Sequence, residues 1–201
     1  MRGIFAVLLI LLFLPMYGQI LSYKEEIRLY RSKNWAGLFS DPRTTVKPGD
    51  SVYLGYYPVR ESNKVFCEVE LLQDQPSFQM PTYSGQEKTF RRHAVLHFQW
   101  KGKKLRLTAY KNLHLVSPLY QNHLFIPLKD LTTGKKTYAG GRYLDLQATA
   151  IQDGRLILDL NRVYNPWCAY SDGYNCPIPP VENHLKVALK VGEKDFKKPK
   201  S

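Results

Sequence analysis

The sequence predicts a mainly β protein, a partly closed antiparallel barrel or a β-sandwich with one N-terminal helix. Three observations predict it. Aromatic side chains are plentiful, with 14 Tyr and 9 Phe among 201 residues, and such side chains pack well on pleated sheets. Short apolar runs alternate with period two between turn residues. In residues 65–71, "VFCEVEL", Val65, Cys67, Val69 and Leu71 share one face while Phe66, Glu68 and Glu70 share the other. The strong helix-start signal lies near the N-terminus, and strand and turn signals follow it.

Taken in order, Met1-Arg2-Gly3 is a short basic start and residues 4–14, "IFAVLLILLFL", are an uninterrupted apolar run. Its length of about eleven residues suits the core of a signal peptide and falls short of the roughly 20 that a membrane span needs. Pro15 ends the run, and Gly18 offers a small residue before Gln19. Residues 1–18 are therefore expected to be a signal peptide. The mature protein is expected to be exported, periplasmic or secreted, with no stable membrane insertion after cleavage. Residues 19–39 form a helix and linker. Ser22 and Glu25 make a capping box, and Tyr23, Ile27 and Tyr30 continue at helical spacing, so a helix is expected over 23–33. Trp35, Leu38 and Phe39 would pin it to the body.

Residues 40–193 form the β domain. Pro48-Gly49-Asp50 is a turn, and residues 52–57 and 65–71 read as strands. Residues 94–100 and 105–110 flank Lys101-Gly102-Lys103 as a hairpin. Strands follow at 124–128, 143–148 and 156–160, with Asp153-Gly154 as a turn. Residues 185–191, "LKVALKV", read as an outer strand with Leu185, Val187, Leu189 and Val191 inward and Lys186, Ala188 and Lys190 facing water. Closing such a sheet removes exposed strand edges. Residues 194–201 read as a frayed basic tail.

The formal charge is +12, from 29 basic and 17 acidic residues. On an exported protein this surface would attract anionic envelope components rather than nucleic acid. No cofactor motif is readable. "TTGKKT" lacks the upstream glycine of a phosphate loop, and neither HExxH nor GxSxG occurs. The histidines 93, 97, 114, 123 and 184 are scattered without metal-ligand spacing, so no metal is expected.

Two stretches concentrate special residues. The first is 165–183, "NPWCAYSDGYNCPIPPVEN". Pro177, Pro179 and Pro180 fix their own φ and push their predecessors toward extended shapes, which makes a stiff strap. Asn165 and Asn183 can tie its ends to the body through side-chain-to-backbone hydrogen bonds. In an oxidising compartment Cys168 and Cys176 default to a disulfide, worth roughly 2–3 kcal/mol for so short a loop. A reactive thiol pair, or a metal site completed by His184, are the alternatives. Cys67 sits among core residues and reads as a small buried hydrophobe. The second stretch is 137–146, "TYAGGRYLDL". Gly140-Gly141 permits close backbone approach. The Arg142 that follows either grips an anion with its planar fork or pairs with an acid such as Asp145 or Glu182 to lock the fold.

These stretches carry a resemblance. "LFIPLKDLTTGKKTYAGGRYLDL", followed by "LDLNRVYNPWCAYSDGYNCPIPPVENHLKVALKVGEKDF", resembles the C-terminal half of the family known as domain of unknown function 1684. The opening helix and "YLGYYPV" fit the same family. Lys136 stands where that family favours an acid, and Trp167 where Tyr is more usual. The resemblance implies no activity. It points to Arg142, Tyr143, Asp145, Asn161, Tyr164, Asn165, Cys168, Tyr170, Cys176, Glu182 and Asn183.

Two readings of function follow. In one, the β domain binds a small anionic or peptide-like ligand in a pocket under the strap, through Arg142, Tyr143, Asp145, Asn161, Asn165 and Asn183. In the other, a hydrolase or transferase uses Arg142 to orient an anion, Glu182 as acid or base, and Tyr164 or Tyr170 as a donor to developing charge. Both require Arg142, Tyr164, Asn165 and Glu182 to converge on one concave pocket.

Overall fold

A computed structural model of the chain describes residues 21–198; the expected signal peptide lies outside the described residues. Helix α1 (Tyr23–Gly37) starts at the expected capping box. The Glu25 backbone N–H donates to Ser22 Oγ, and Ser22 N donates back to Glu25 Oε2 at 2.9 Å. The helix outruns its expected end and passes into a 3-10 turn at Leu38–Ser40.

Seven strands form one antiparallel sheet that curls into a half-barrel. They are β1 (Lys64–Leu71), β2 (Ser77–Pro81), β3 (Glu87–Trp100), β4 (Lys103–Asn112), β5 (His123–Leu128), β6 (Arg142–Gln147) and β7 (Arg155–Asp159). Their order is β6-β5-β4-β3-β1-β7, with β2 paired to β3. The hairpin between β3 and β4 is as expected. Trp100 faces Lys103, and Lys101 and Gly102 both take positive φ, 48° and 78°, as a tight two-residue turn requires. A register shift between Arg92 and Ala94 bends β3.

The sheet is covered on both faces. Cys67, Leu96, Leu107, Ile126 and Leu144 lie in the main core on one face. Met80, Phe90, Tyr110, Phe125 and Tyr143 build a second, aromatic cluster with Tyr174 and Cys176 of the strap. Successive residues of β5 therefore enter different cores: Leu124 and Ile126 the first, Phe125 the second.

Two expected strands do not form. Residues 48–53 make a 3-10 helix instead, and Tyr56 pairs with Glu193 only as an isolated bridge. Residues 185–191 do bury Leu185, Val187, Leu189 and Val191, yet they join no ladder. The start of this segment meets the backbone after β5, with Leu185 N donating to Lys129 O at 2.8 Å and Leu131 N to Val187 O at 2.9 Å; from Leu189 onward its partner is a side-chain pair. Arg142 is fully buried and faces Asp130, with Nη2 2.8 Å from Oδ2. Its guanidinium also donates to the carbonyls of Leu189 at 2.9 Å, Glu193 at 3.0 Å, and Val191. Asp130 Oδ1 accepts from Leu189 N at 3.2 Å. One planar fork thus receives the carbonyls of alternate residues, as a neighbouring strand would have done.

The final residues are not frayed as far as Lys198. Lys194 N donates to Gly55 O at 2.8 Å, Asp195 N to Lys136 O at 3.0 Å, and Lys198 pairs with Asp50. Phe196 lies against Trp35, Tyr53 and Tyr170.

Candidate functional site

The strap packs on the aromatic-cluster face of the sheet, over β6 and the end of β2. Cys168 and Cys176 are joined in a disulfide, which removes the thiol-pair and metal readings of these two residues. Ile178 N donates to Pro81 O at 2.8 Å and Tyr83 N to Cys176 O at 3.1 Å. From below, Tyr143 Oη donates to Pro177 O at 2.5 Å and Tyr138 Oη to Cys168 O at 3.2 Å. The strap touches the Gly-Gly-Arg bend directly. Gly141 has φ 93°, and a Cβ there would stand 2.7 Å from Pro179 Cγ and 2.8 Å from Leu128 O. Only glycine lets the bend and the strap meet this closely.

An open cleft of about 490 Å³ lies beside the strap. Phe90, Phe125 and Tyr143 contribute apolar surface, and Trp167 and Tyr174 stand as a T-shaped pair 5.2 Å apart. Polar groups enter from several elements. Arg43 comes from the segment after the helix, pairs with Asp41 and lies over the Tyr174 ring at 4.7 Å. Lys88 on β3 has no ion-pair partner among the described residues; burial and the nearby Arg43 both lower its pKa. His123 Nε2 meets Asp145 Oδ1 at 3.1 Å, and Tyr164 Oη donates to Asp145 Oδ2 at 2.6 Å. Two buried polar atoms on lining residues, His123 Nδ1 and Tyr174 Oη, have no hydrogen-bond partner.

Of the residues singled out from sequence, Tyr143, Asp145, Tyr164 and the disulfide-bonded Cys176 reach this cleft. The others do not converge on it. Arg142 is sealed against Asp130, which corrects its ligand-binding reading and bears out pairing with an acid that locks the fold, the acid being Asp130 rather than Asp145 or Glu182. Asn183 is fully buried between β4 and β5. Its amide accepts from Thr108 N at 2.7 Å and donates to Thr108 O at 2.9 Å and Pro127 O at 2.8 Å. Pro127 has no N–H to offer β4, and the strap's asparagine occupies the place where the two strands separate. Asn161 ties the helix to β7, donating to Tyr23 Oη at 2.7 Å and Asp159 Oδ1 at 2.9 Å and accepting from Asn63 Nδ2 at 2.9 Å. Asn165 holds the C-terminal segment through Glu193 Oε2 at 3.0 Å and Lys194 O at 2.7 Å.

The catalytic candidates are likewise separated. Glu182 is held by Arg92 at 2.7 Å and Tyr110 Oη at 3.0 Å. Burial raises its pKa, but hydrogen bonds from its own backbone, Arg92 and Tyr110 prevail and lower it, so it is not poised as an acid. Tyr170 Oη donates to Glu193. Burial pushes the Tyr143, Tyr164 and Tyr170 hydroxyls well above the ordinary phenol range, and acidic neighbours add to the rise. All three are held as protonated donors. Cys67 is fully buried, with its thiol pushed up to about 12 by burial, and is inert as expected.

Sequence reasoning missed Arg43, Lys88, His123 and Asn112 as cleft residues. Each comes from a different element, and none carried a local motif. Trp167 and Tyr174 lay inside the strap that had been picked out, but as framework. Among the described residues no group of three or more His, Cys, Asp or Glu could hold a metal ion.

The solution NMR structure of an uncharacterised protein from Haloarcula marismortui is similar to this chain, with 28% identity and a TM-score of 0.60, over 85% of this chain and 97% of that one. Comparison with curated proteins finds no match. A family model described as a protein of unknown function, DUF1684, matches residues 52–194. That match takes in the sheet, the Gly-Gly-Arg bend and the strap, and the chain belongs to this family.

Proposed function

We propose that the protein is exported and that the cleft beside the strap binds a small ligand with a flat apolar body and an anionic group. The observation that carries this reading is the unmatched polarity of an aromatic cleft. Buried polar atoms are ordinarily hydrogen-bonded, yet His123 Nδ1 and Tyr174 Oη are not. Lys88, beside Arg43, is a cation without an acid. An aromatic carboxylate would give Tyr174 an acceptor, balance Lys88, and stack on the lining rings. Binding is favoured over a hydrolase or transferase because Arg142 and Tyr170 are both engaged at Glu193, Glu182 is held elsewhere by Arg92 and Tyr110, and of the four only Tyr164 reaches the cleft.

The test uses 1-naphthoate and its neutral amide, read by thermal shift and by Trp emission. Naphthoate is expected to bind saturably, the amide about tenfold more weakly, and Lys88→Met to bring the two together. The anionic reading is rejected if naphthoate fails to saturate or the amide binds equally well. For export, the N-terminus of the protein recovered from its cell is sequenced. Expected is a start at Gln19; an intact Met1 on all the recovered protein rejects it.

A further inference from the structure

The segment between β4 and β5, residues 113–121, "LHLVSPLYQ", turns apolar side chains outward. Val116 is 87% exposed and Leu119 77%. Every residue from His114 to Gln121 is exposed, Leu115 and Tyr120 included. Loops of soluble proteins face water with polar residues, and a contiguous apolar projection marks a contact surface. The loop is not slack. Leu113 N donates to Thr89 O at 3.0 Å and His114 N to Asn112 Oδ1 at 2.9 Å. His114 Nε2 meets Thr89 Oγ1 at 3.1 Å. Pro118–Tyr120 closes a 3-10 turn, and the Tyr120 ring meets His123 edge-on at 6.1 Å. The fold holds these apolar groups in place rather than letting them collapse onto the body.

The surroundings are cationic. Between Glu87 and Asp130 the sequence has no acidic residue. Lys111 stands two positions before the loop with Arg91 opposite it in the β3–β4 register, and Lys88 shares the adjoining cleft with Leu115 and Asn112. Two nearby acids are engaged: Asp145 is held by His123 and Tyr164, and Asp41 by Arg43. Glu87 shares its face of β3 with Arg91, where Arg91 and its register partner Lys111 outnumber it, while Lys88 lies on the other face. An apolar tip ringed by cations matches an anionic bilayer: the apolar groups enter the acyl boundary and the cations meet headgroups.

We propose that residues 113–121 are a membrane-docking tip, inserting Val116 and Leu119 into an anionic bilayer while Lys88, Arg91 and Lys111 contact its headgroups. A second copy of this chain fits worse, because joining two such tips would oppose like charges. The other lysine-rich turn, Lys101 to Lys104, sits at the far end of β4. A ten-residue strand is about 30 Å long, beyond the reach of a lipid surface contacted by the tip, and its charges are separated from it by several screening lengths. Docking does not depend on a ligand in the cleft and stands or falls separately from it. Leu115 belongs to both surfaces, so a docked tip sets the cleft mouth at headgroup level.

The experiment places Trp at the tip, Leu119→Trp, in the full chain, and reads its emission against the unsubstituted protein. This difference reports the tip alone, even where residues 4–14 also hold the chain to a vesicle. With vesicles of mixed phosphatidylcholine and phosphatidylglycerol, a blue shift and quenching by brominated acyl chains are expected. With phosphatidylcholine alone both should be weaker by about tenfold in lipid affinity, and high salt should reduce binding to the mixed vesicles. Adding Lys111→Glu should weaken the signal, whereas Lys103→Glu with Lys104→Glu should leave it within about twofold. Three results overturn the proposal: no blue shift on the mixed vesicles, equal response on neutral ones, or equal sensitivity to the remote lysines. Lipid-free self-association that is abolished by Val116→Asp also overturns it and assigns the tip to a contact between copies.

Discussion

Glu193 is only 4% exposed, and its carboxylate ties the C-terminal segment to the strap at two points. Tyr170 Oη donates to one oxygen and Asn165 N to the other. Burial pushes its pKa up to about 7, against the lowering pull of those two donors and of Arg142 and Arg31. The folded value lies above the unfolded one, near the ordinary 4.5. Its contribution to stability is therefore fully present below about pH 4.5 and is lost as pH rises through about 7. We expect the stability of the unsubstituted protein, relative to Glu193→Gln, to fall by on the order of 2–3 kcal/mol across that window. The amide can still accept from Asn165 and donate to Tyr170, so it keeps both links without a charge. Urea unfolding of both proteins from pH 4.5 to 8 checks this; a difference that does not change with pH would refute it. The Arg142–Asp130 pair is the opposite case. Burial lowers the Arg142 pKa while Asp130 opposes the shift, and breaking such a pair leaves one charge buried and unmatched.

The strap is the element whose rigidity was readable and whose purpose was not. Its prolines and cysteines lie within a short stretch of chain, so their local stiffness follows from residue type. What the strap covers was hidden, because Tyr143 and Pro81 reach it from distant strands and Tyr83 from the turn after β2. Replacing both Cys168 and Cys176 with Ser is expected to cost about 2.5 kcal/mol by chain entropy. It should also weaken naphthoate binding, because Trp167 and Tyr174 flank the disulfide. Unchanged melting and unchanged binding would show that the strap holds its shape without the bridge. The β3–β4 hairpin lies at the other extreme. Alternation and a Lys-Gly turn determine it, and it formed as expected. β2 was missed because Ser77–Pro81 is only five residues long and ends in proline. Residues 185–191 carried a strand's alternation, and their inward face is buried, but alternation describes faces and not hydrogen-bond partners.

Across the whole molecule, the C-terminal residues close the structure. Phe196 fills a site bounded by Trp35 of the helix, Tyr170 of the strap and Tyr53 of the 3-10 turn. Asp195 N binds the loop at Lys136, and Lys198 binds Asp50 of the same 3-10 turn. Ending the chain after Lys194 is expected to cost about 2 kcal/mol, measurable by denaturant unfolding. Loss of less than about 0.5 kcal/mol would show the segment to be passive.

By itself the sequence determined the capped helix, the mainly antiparallel β character, most of the inward and outward faces, and the stiffness of the proline-rich strap. Each of these follows from residues a few positions apart. The tertiary structure alone decided that Arg142 takes Asp130 rather than Asp145 or Glu182, and that Asn183 wedges between β4 and β5. It also alone assembled the cleft from Arg43, Lys88, His123 and Trp167. Those partners lie far apart along the chain. Strand order and register bring them together, and periodicity within a segment carries no record of which segment will be its neighbour.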